Sequence, residues 1–157
     1  GADESVSSEL KDKFSTQNSE AHPHILVADD SSVARHQIKK TMDQIGIETT
    51  IVRDGKEALD QLKAWAADDI DIKNHISLVI SDIEMPEMDG YTLTTEIRKD
   101  PQLQDIKVLL HTSMSGAFNN TMVEKVGADR FVAKFSPDDL ASAVQDLIEE
   151  WKTEHTQ

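Results

Sequence analysis

Two adjacent aspartates, Asp29 and Asp30, end the apolar run Ile25-Leu26-Val27-Ala28, and a third, Asp82, follows Ser77-Leu78-Val79-Ile80. Thr112 stands just beyond Lys107-Val108-Leu109-Leu110, and Lys134 just beyond residues 130 to 133. Carboxylates gathered in one crevice repel one another, and a hard divalent cation removes the conflict. Mg²⁺ takes one or two carboxylates and completes its shell with waters and phosphate oxygens. The set therefore suits phosphoryl chemistry better than an all-protein Ca²⁺ cage. A hydroxyl from Thr112 and an ammonium from Lys134 would neutralise the equatorial oxygens of a transferring phosphoryl group. The chain has no GxxxxGK loop to cradle a nucleotide, so the donor is not an ATP held here. A carboxylate can then itself be the acceptor, with an aspartyl phosphate as product, and Asp82 is the central candidate.

These groups can act together only if the fold brings the ends of their apolar runs to one place. After Pro23 the chain alternates strand-like runs with helical periods. Ala34, Ile38, Met42 and Ile45 recur at helical spacing, with Gly46 as the stop. Residues 49 to 52 are β-branched throughout and read as the second strand. Asp54, three residues before Glu57, opens a helix lined by Ala58, Leu59, Leu62 and Ala66 in the manner of a capping box. The polar residues 68 to 75 read as a loop. Pro86 and Gly90 mark the loop after the third strand, ahead of a helix carrying Leu93 and Ile97. A fourth strand over 107 to 110 precedes a helix with Met122, Val123 and Val126 that stops at Gly127, and residues 130 to 133 form the fifth strand. Ser136-Pro137-Asp138-Asp139 supplies a capping hydroxyl, a proline at the first helical position and acids near the positive end of the dipole. Leu140, Val144, Leu147 and Trp151 follow on one face.

Five strand–helix alternations with near-continuous apolar strands predict an α/β fold, a flavodoxin-like doubly wound five-stranded parallel sheet with helices on both faces. Right-handed crossovers leave few topologies, of which 2-1-3-4-5 is the commonest for five strands. In that order the carboxyl ends of strands one and three flank the point where strand order reverses, which is where ligands sit. Asp29, Asp30 and Asp82 meet there.

Composition bounds the partners. At 157 residues with 38% apolar content the chain is long enough for one domain with a real core. Sixteen basic against thirty acidic residues give a net charge of −14, which argues against a nucleic-acid-binding surface. With no cysteine there is no disulfide framework, thiolate zinc site or cysteine nucleophile. No apolar run approaches a bilayer-spanning length and Gly1-Ala2-Asp3-Glu4 does not resemble a signal peptide, so we expect a soluble, cytoplasmic protein without membrane insertion. Residues 1 to 22 read as a linker or tail ahead of a domain over 23 to 157. Gly1 in place of Met fits a missing upstream domain.

Four stretches in order, Ile25-Leu26-Val27-Ala28-Asp29-Asp30-Ser31, the loop Asp82 to Gly90, Thr112-Ser113 and Phe131-Val132-Ala133-Lys134, resemble the receiver domain of two-component response regulators over about residues 23 to 151. The resemblance implies that Asp82 accepts a phosphoryl group from a phosphohistidine of a sensor kinase. It also implies that Asp30, Asp82 and the backbone carbonyl of Glu84 ligate Mg²⁺, with Asp29 assisting through metal-bound water. Thr112 and Lys134 would grip the phosphoryl oxygens, and their rearrangement with Phe131 would carry the signal outward as a population shift. Such a domain is a switch and not an enzyme, beyond its own phosphorylation and dephosphorylation. Residues 111 to 120 and Phe131-Val132-Ala133-Lys134-Phe135 are similar, more narrowly, to the receiver part of CheV-type chemotaxis coupling proteins. That likeness implies a CheA-type histidine kinase as partner and a chemoreceptor array reached through a fused coupling domain.

The sequence departs from the receiver pattern at Phe135, where most receivers have a cis proline, and at Phe131, where many have tyrosine. The stretch from Trp65 to His75 is longer than usual. Simpler readings apply to other residues: His22 and His24 as idle linker residues, His36 and His111 as unneeded by the chemistry, Met85 and Met88 as loop packing, and Trp151 as the last apolar contact of its helix. Two other functions compete. A Mg²⁺-dependent phosphohydrolase with an aspartyl nucleophile would place its second acid two residues after the first, at strand one, where this chain has Asp29-Asp30-Ser31-Ser32. A flavodoxin-like electron carrier would need hydroxyls there in place of acids. Among receivers a different output domain stays open.

Overall fold

The computed structural model describes residues 23–68, 72–112, 124–133 and 136–155. Their elements are β1 (His24–Ala28), α1 (Ser32–Gln44), β2 (Glu48–Val52), α2 (Gly55–Ala67), the single turn α3 (Ile72–His75), β3 (Leu78–Asp82), α4 (Gly90–Lys99), β4 (Lys107–Thr112), β5 (Arg130–Ala133) and α5 (Pro137–His155). All four pairings are parallel and the sheet runs β2-β1-β3-β4-β5, the order expected.

Alternation of side chains across the pleat explains why the strands are continuously apolar. Ile25, Val27, Leu78, Ile80 and Leu109 pack under Ile38 and Met42 of α1 and Val144 and Leu147 of α5. Leu26, Ala28, Val79, Val108 and Leu110 face the other way, under Leu59 and Leu62 of α2 and Leu93 and Ile97 of α4. No described helix is long and apolar enough to cross a membrane.

Local signals set the helix ends. Ser31, Asp54 and Asp89 cap α1, α2 and α4, each side chain accepting from a backbone N–H three residues on. The Glu57 carboxylate accepts in turn from Arg53 N, one residue before the Asp54 cap, at 3.0 Å. Gly46, at φ +74°, ends α1: its N–H reaches Asp43 O and that of Ile47 reaches Met42 O, the paired bonds of a Schellman motif. Of the helix expected before Gly127, residues 124–126 are described and helical. Arg98 donates to the carbonyls of Gly127, Gln104 and Ile106 and to Asp129, whose carboxylate also accepts from Val108 N. One guanidinium thus fixes both the entry to β4 and the approach to β5.

Two expectations need correcting. The polar stretch 68 to 75 is not all loop, because α3 buries Ile72 and delivers the next residue, Ile76, into the α2–α4 core. His24 is not idle. It begins β1, its Nε2 lies 2.7 Å from Thr50 Oγ1, and its ring meets Trp65 edge-on and stacks on His75 at 5.9 Å. His75 in turn abuts Trp65 at 4.8 Å, so the lengthened connection is pinned back onto the sheet.

Burial pushes the His24 imidazole below its ordinary value of 6.5, the neighbouring His75 adds to this, and Glu48 opposes both. A histidine whose pKa is depressed in the folded state stabilises the fold fully above its unfolded value. That stability is lost as pH falls through the folded value. The melting temperature should therefore decline on acidification below about pH 6.5. His24→Gln should flatten part of that decline, as scanning calorimetry in matched buffers would reveal, and an unchanged slope would argue against the assignment.

Candidate functional site

Three carboxylates converge where the sheet order reverses. Asp29 directly follows β1, Asp30 follows it, and Asp82 is the last residue of β3. Each offers an oxygen, and these lie within 4.8 Å of one another. Asp29 is fully buried and Asp82 is 4% exposed, whereas Asp30 is open to solvent. The cluster has a dry floor and a wet rim, which suits a small hard cation that keeps several waters. The strand run ends later than apolar character alone indicates: β3 continues through Ser81 and Asp82, and β4 through His111 and Thr112.

Hydrogen bonds hold the two buried acids. Oδ1 of Asp29 accepts from Ser31 N at 2.9 Å, and its carbonyl accepts from Arg35 Nη1 at 2.9 Å. Oδ1 of Asp82 accepts from Ile83 N at 2.8 Å, while Ser81 Oγ donates to the Asp82 carbonyl. The loop after Asp82 returns at once, Gly90 N donating to Ile83 O at 2.8 Å. A Cβ on Gly90 would overlap the carbonyl oxygen of Asp82 and crowd Ile83, so this position needs glycine for close approach. Gly90→Ala should destabilise the fold by about 1–3 kcal/mol, as backbone must move to admit the methyl. Urea denaturation would measure it, and a loss under about 0.5 kcal/mol would mean that the loop yields freely.

The structure also locates the remaining candidates. Thr112 ends β4, 3% exposed and paired in register with Ala133. Phe131 in β5 is half-buried beside Leu110 and packs on the α2–α4 side. Glu84 is exposed in the loop two residues after Asp82. Met85 and Met88 pack against the same core, and Trp151 is buried at the end of the α1–α5 core, as expected of each. Lys134 and Phe135 lie outside the described residues, as do 113–120, Met122, Val123, His22 and the leader. His111, which the sequence marks as unneeded by the chemistry, stands beside the cluster. It is 3% exposed, sits in register with Asp82, and brings Nε2 to 3.4 Å from Asp29 Oδ2. Its signal was a polar ring inside an apolar strand.

Residues 25–145 match the family described as response regulator receiver domain. The chain is 26% identical over 145 residues to chemotaxis protein CheV3 of Helicobacter pylori, covering 92% of this chain and 47% of that protein. It is 30% identical over 125 residues to CheV1 of the same organism, covering 80% and 38% respectively. The chain thus spans less than half the length of these curated relatives. Among solved structures, the signal receiver domain of a signal transduction histidine kinase from Syntrophus aciditrophicus superposes with a TM-score of 0.69 at 32% identity, covering 82% of this chain and 91% of that one. Because the family match runs from the second residue of β1 into α5, and so takes in every strand, this chain belongs to the response regulator receiver domain family.

Proposed function

We propose that this chain is a cytoplasmic, Mg²⁺-dependent phosphoacceptor switch of a chemotaxis-type two-component system, phosphorylated on Asp82 by a CheA-type histidine kinase. The observation that carries this reading is the meeting of three carboxylate oxygens within 4.8 Å at the reversal point of the sheet, with Asp82 buried among them. Likeness to CheV3 and CheV1 supports the chemotaxis assignment and the proposal that residues 1 to 22 link an upstream coupling domain to the receiver at 23 to 157.

The donor set is all oxygen, part buried and part wet, and fits Mg²⁺. Asp30 and Asp82, with the Glu84 carbonyl, would hold the ion and Asp29 would support it through water. When bound, the ion screens the negative charge between an incoming phosphoryl group and the acids. An Asp82 carboxylate oxygen attacks phosphorus, the O–P bond forms as the P–N bond to the donor imidazole breaks, and the imidazole leaves with the electron pair. Thr112 donates its hydroxyl to one phosphoryl oxygen and Lys134 brings a positive charge to another. Drawing Thr112 inward opens space on the β4–β5 side for Phe131. The surface read by a partner thereby changes. The output is a protein–protein contact, since the acidic surface opposes binding to nucleic acid.

Family membership favours this reading over a small-molecule phosphohydrolase. The experiment is phosphotransfer from an autophosphorylated CheA-type kinase, with label followed on both proteins. Rapid loss of label from the kinase with gain on this chain is expected. Label retained by the kinase, while the chain still accepts from a small donor, would remove the kinase assignment.

A further inference from the structure

We infer that His111 is a positioning residue of the carboxylate cluster, clamping Asp29 in the orientation from which it supports a cation on Asp30 and Asp82; this rests on the metal-dependent reading above. Position 111 is one where the fold asks for an apolar side chain. Val108, Leu109 and Leu110 before it are fully buried, and alternation turns residue 111 to the same side as Leu109, toward the α1–α5 core. Burying an imidazole there costs free energy unless its polar atoms are engaged.

The imidazole approaches the Asp29 carboxylate. His111 pairs in register with Asp82, and its carbonyl accepts from Ile83 N at 3.1 Å. Its ring reaches over β3 toward β1, two strands away in the sheet, where Nε2 comes within 3.4 Å of Asp29 Oδ2. Oδ1 of the same carboxylate accepts from Ser31 N at 2.9 Å. Asp29 is thus bonded through Oδ1 to the start of α1, while its Oδ2 faces the His111 ring of β4. Its carboxylate plane is set before a cation arrives. His111 is not a member of the oxygen cluster itself, which among the described residues consists of Asp29, Asp30 and Asp82. Its place is behind Asp29, which supports the ion through water, and outer-shell partners of this kind typically govern metal affinity by about 10–100-fold.

The test follows Mg²⁺ binding alone, without phosphorylation, through backbone amide and histidine ring signals in nuclear magnetic resonance of the full chain. His111→Val should weaken Mg²⁺ binding by about 10–100-fold while His111→Gln, which keeps a donor, recovers most of it. Asp29→Asn with His111→Val should bind no more weakly than Asp29→Asn alone, because His111 acts through Asp29. If His111→Val does not fold, the wild-type protein decides: the His111 ring signals should move along the same Mg²⁺ isotherm as the Asp30 amide. Unaltered affinity in a folded His111→Val variant, additive losses in the double variant, or a ring unmoved at saturation would overturn the inference and leave the metal-dependent reading standing. Failure of the wild type to bind Mg²⁺ would overturn both.

Discussion

Asp82→Asn should take up no phosphoryl group under conditions expected to label the wild-type protein completely. The substitution keeps shape and volume and removes the proposed nucleophile, since a neutral amide oxygen does not form an acyl phosphate. Its fold should survive. Asp82 uses Oδ1 to accept from Ile83 N at 2.8 Å, and an asparagine oxygen can accept the same bond. Removing one negative charge from three crowded acids also relieves repulsion, so the melting temperature should be unchanged or higher. Intact-mass measurement after incubation with phosphoramidate and Mg²⁺ compares the two proteins directly. A labelled Asp82→Asn variant would move the acceptor elsewhere and dismantle the site assignment.

Withdrawal of Mg²⁺ should slow labelling of the wild-type protein by about 10²-fold or more, because screening of the acids against an incoming phosphoryl group contributes several kcal/mol. Asp30→Asn should reproduce much of this defect at low Mg²⁺ and recover as Mg²⁺ is raised. Asp30 lies on the exposed rim, so its loss weakens the hold on the ion without disturbing the core. Rates of labelling across a Mg²⁺ series for the two proteins provide the check. Equal rates in chelator and in Mg²⁺ would show that the carboxylates manage their repulsion unaided.

Most of the architecture was legible because burial on both faces makes each strand a continuous apolar run, and β5 was bounded correctly from that run alone. The run fails as a guide where the ladder continues into polar residues. β3 and β4 extend to Asp82 and Thr112, since register with their neighbours, and not side-chain polarity, decides where pairing stops. The turn α3 was hidden for the opposite reason: single apolar residues at 72 and 76 in a polar stretch carry no period, and their burial depends on the distant core they enter. Asp29, Asp30 and Asp82 could be grouped from sequence because the expected strand order places their strand ends together. The reach of His111 across β3 to Asp29, and the stacking of His24 on His75, are contacts between side chains from separate elements. No local pattern encodes them. They follow from strand order and pleat direction once both are known, which is why a histidine in an apolar strand repays scrutiny after the sheet has been drawn.

The central claim is that the phosphoryl group resides on Asp82, and chemical trapping tests it most directly. The protein is labelled with phosphoramidate in Mg²⁺, the acyl phosphate is reduced with borohydride, and the product is mapped by peptide mass spectrometry. Conversion of residue 82 alone to homoserine, dependent on both donor and Mg²⁺, is the expected result. Conversion at Asp29 or Asp30, or no conversion in a folded protein saturated with Mg²⁺, would contradict it.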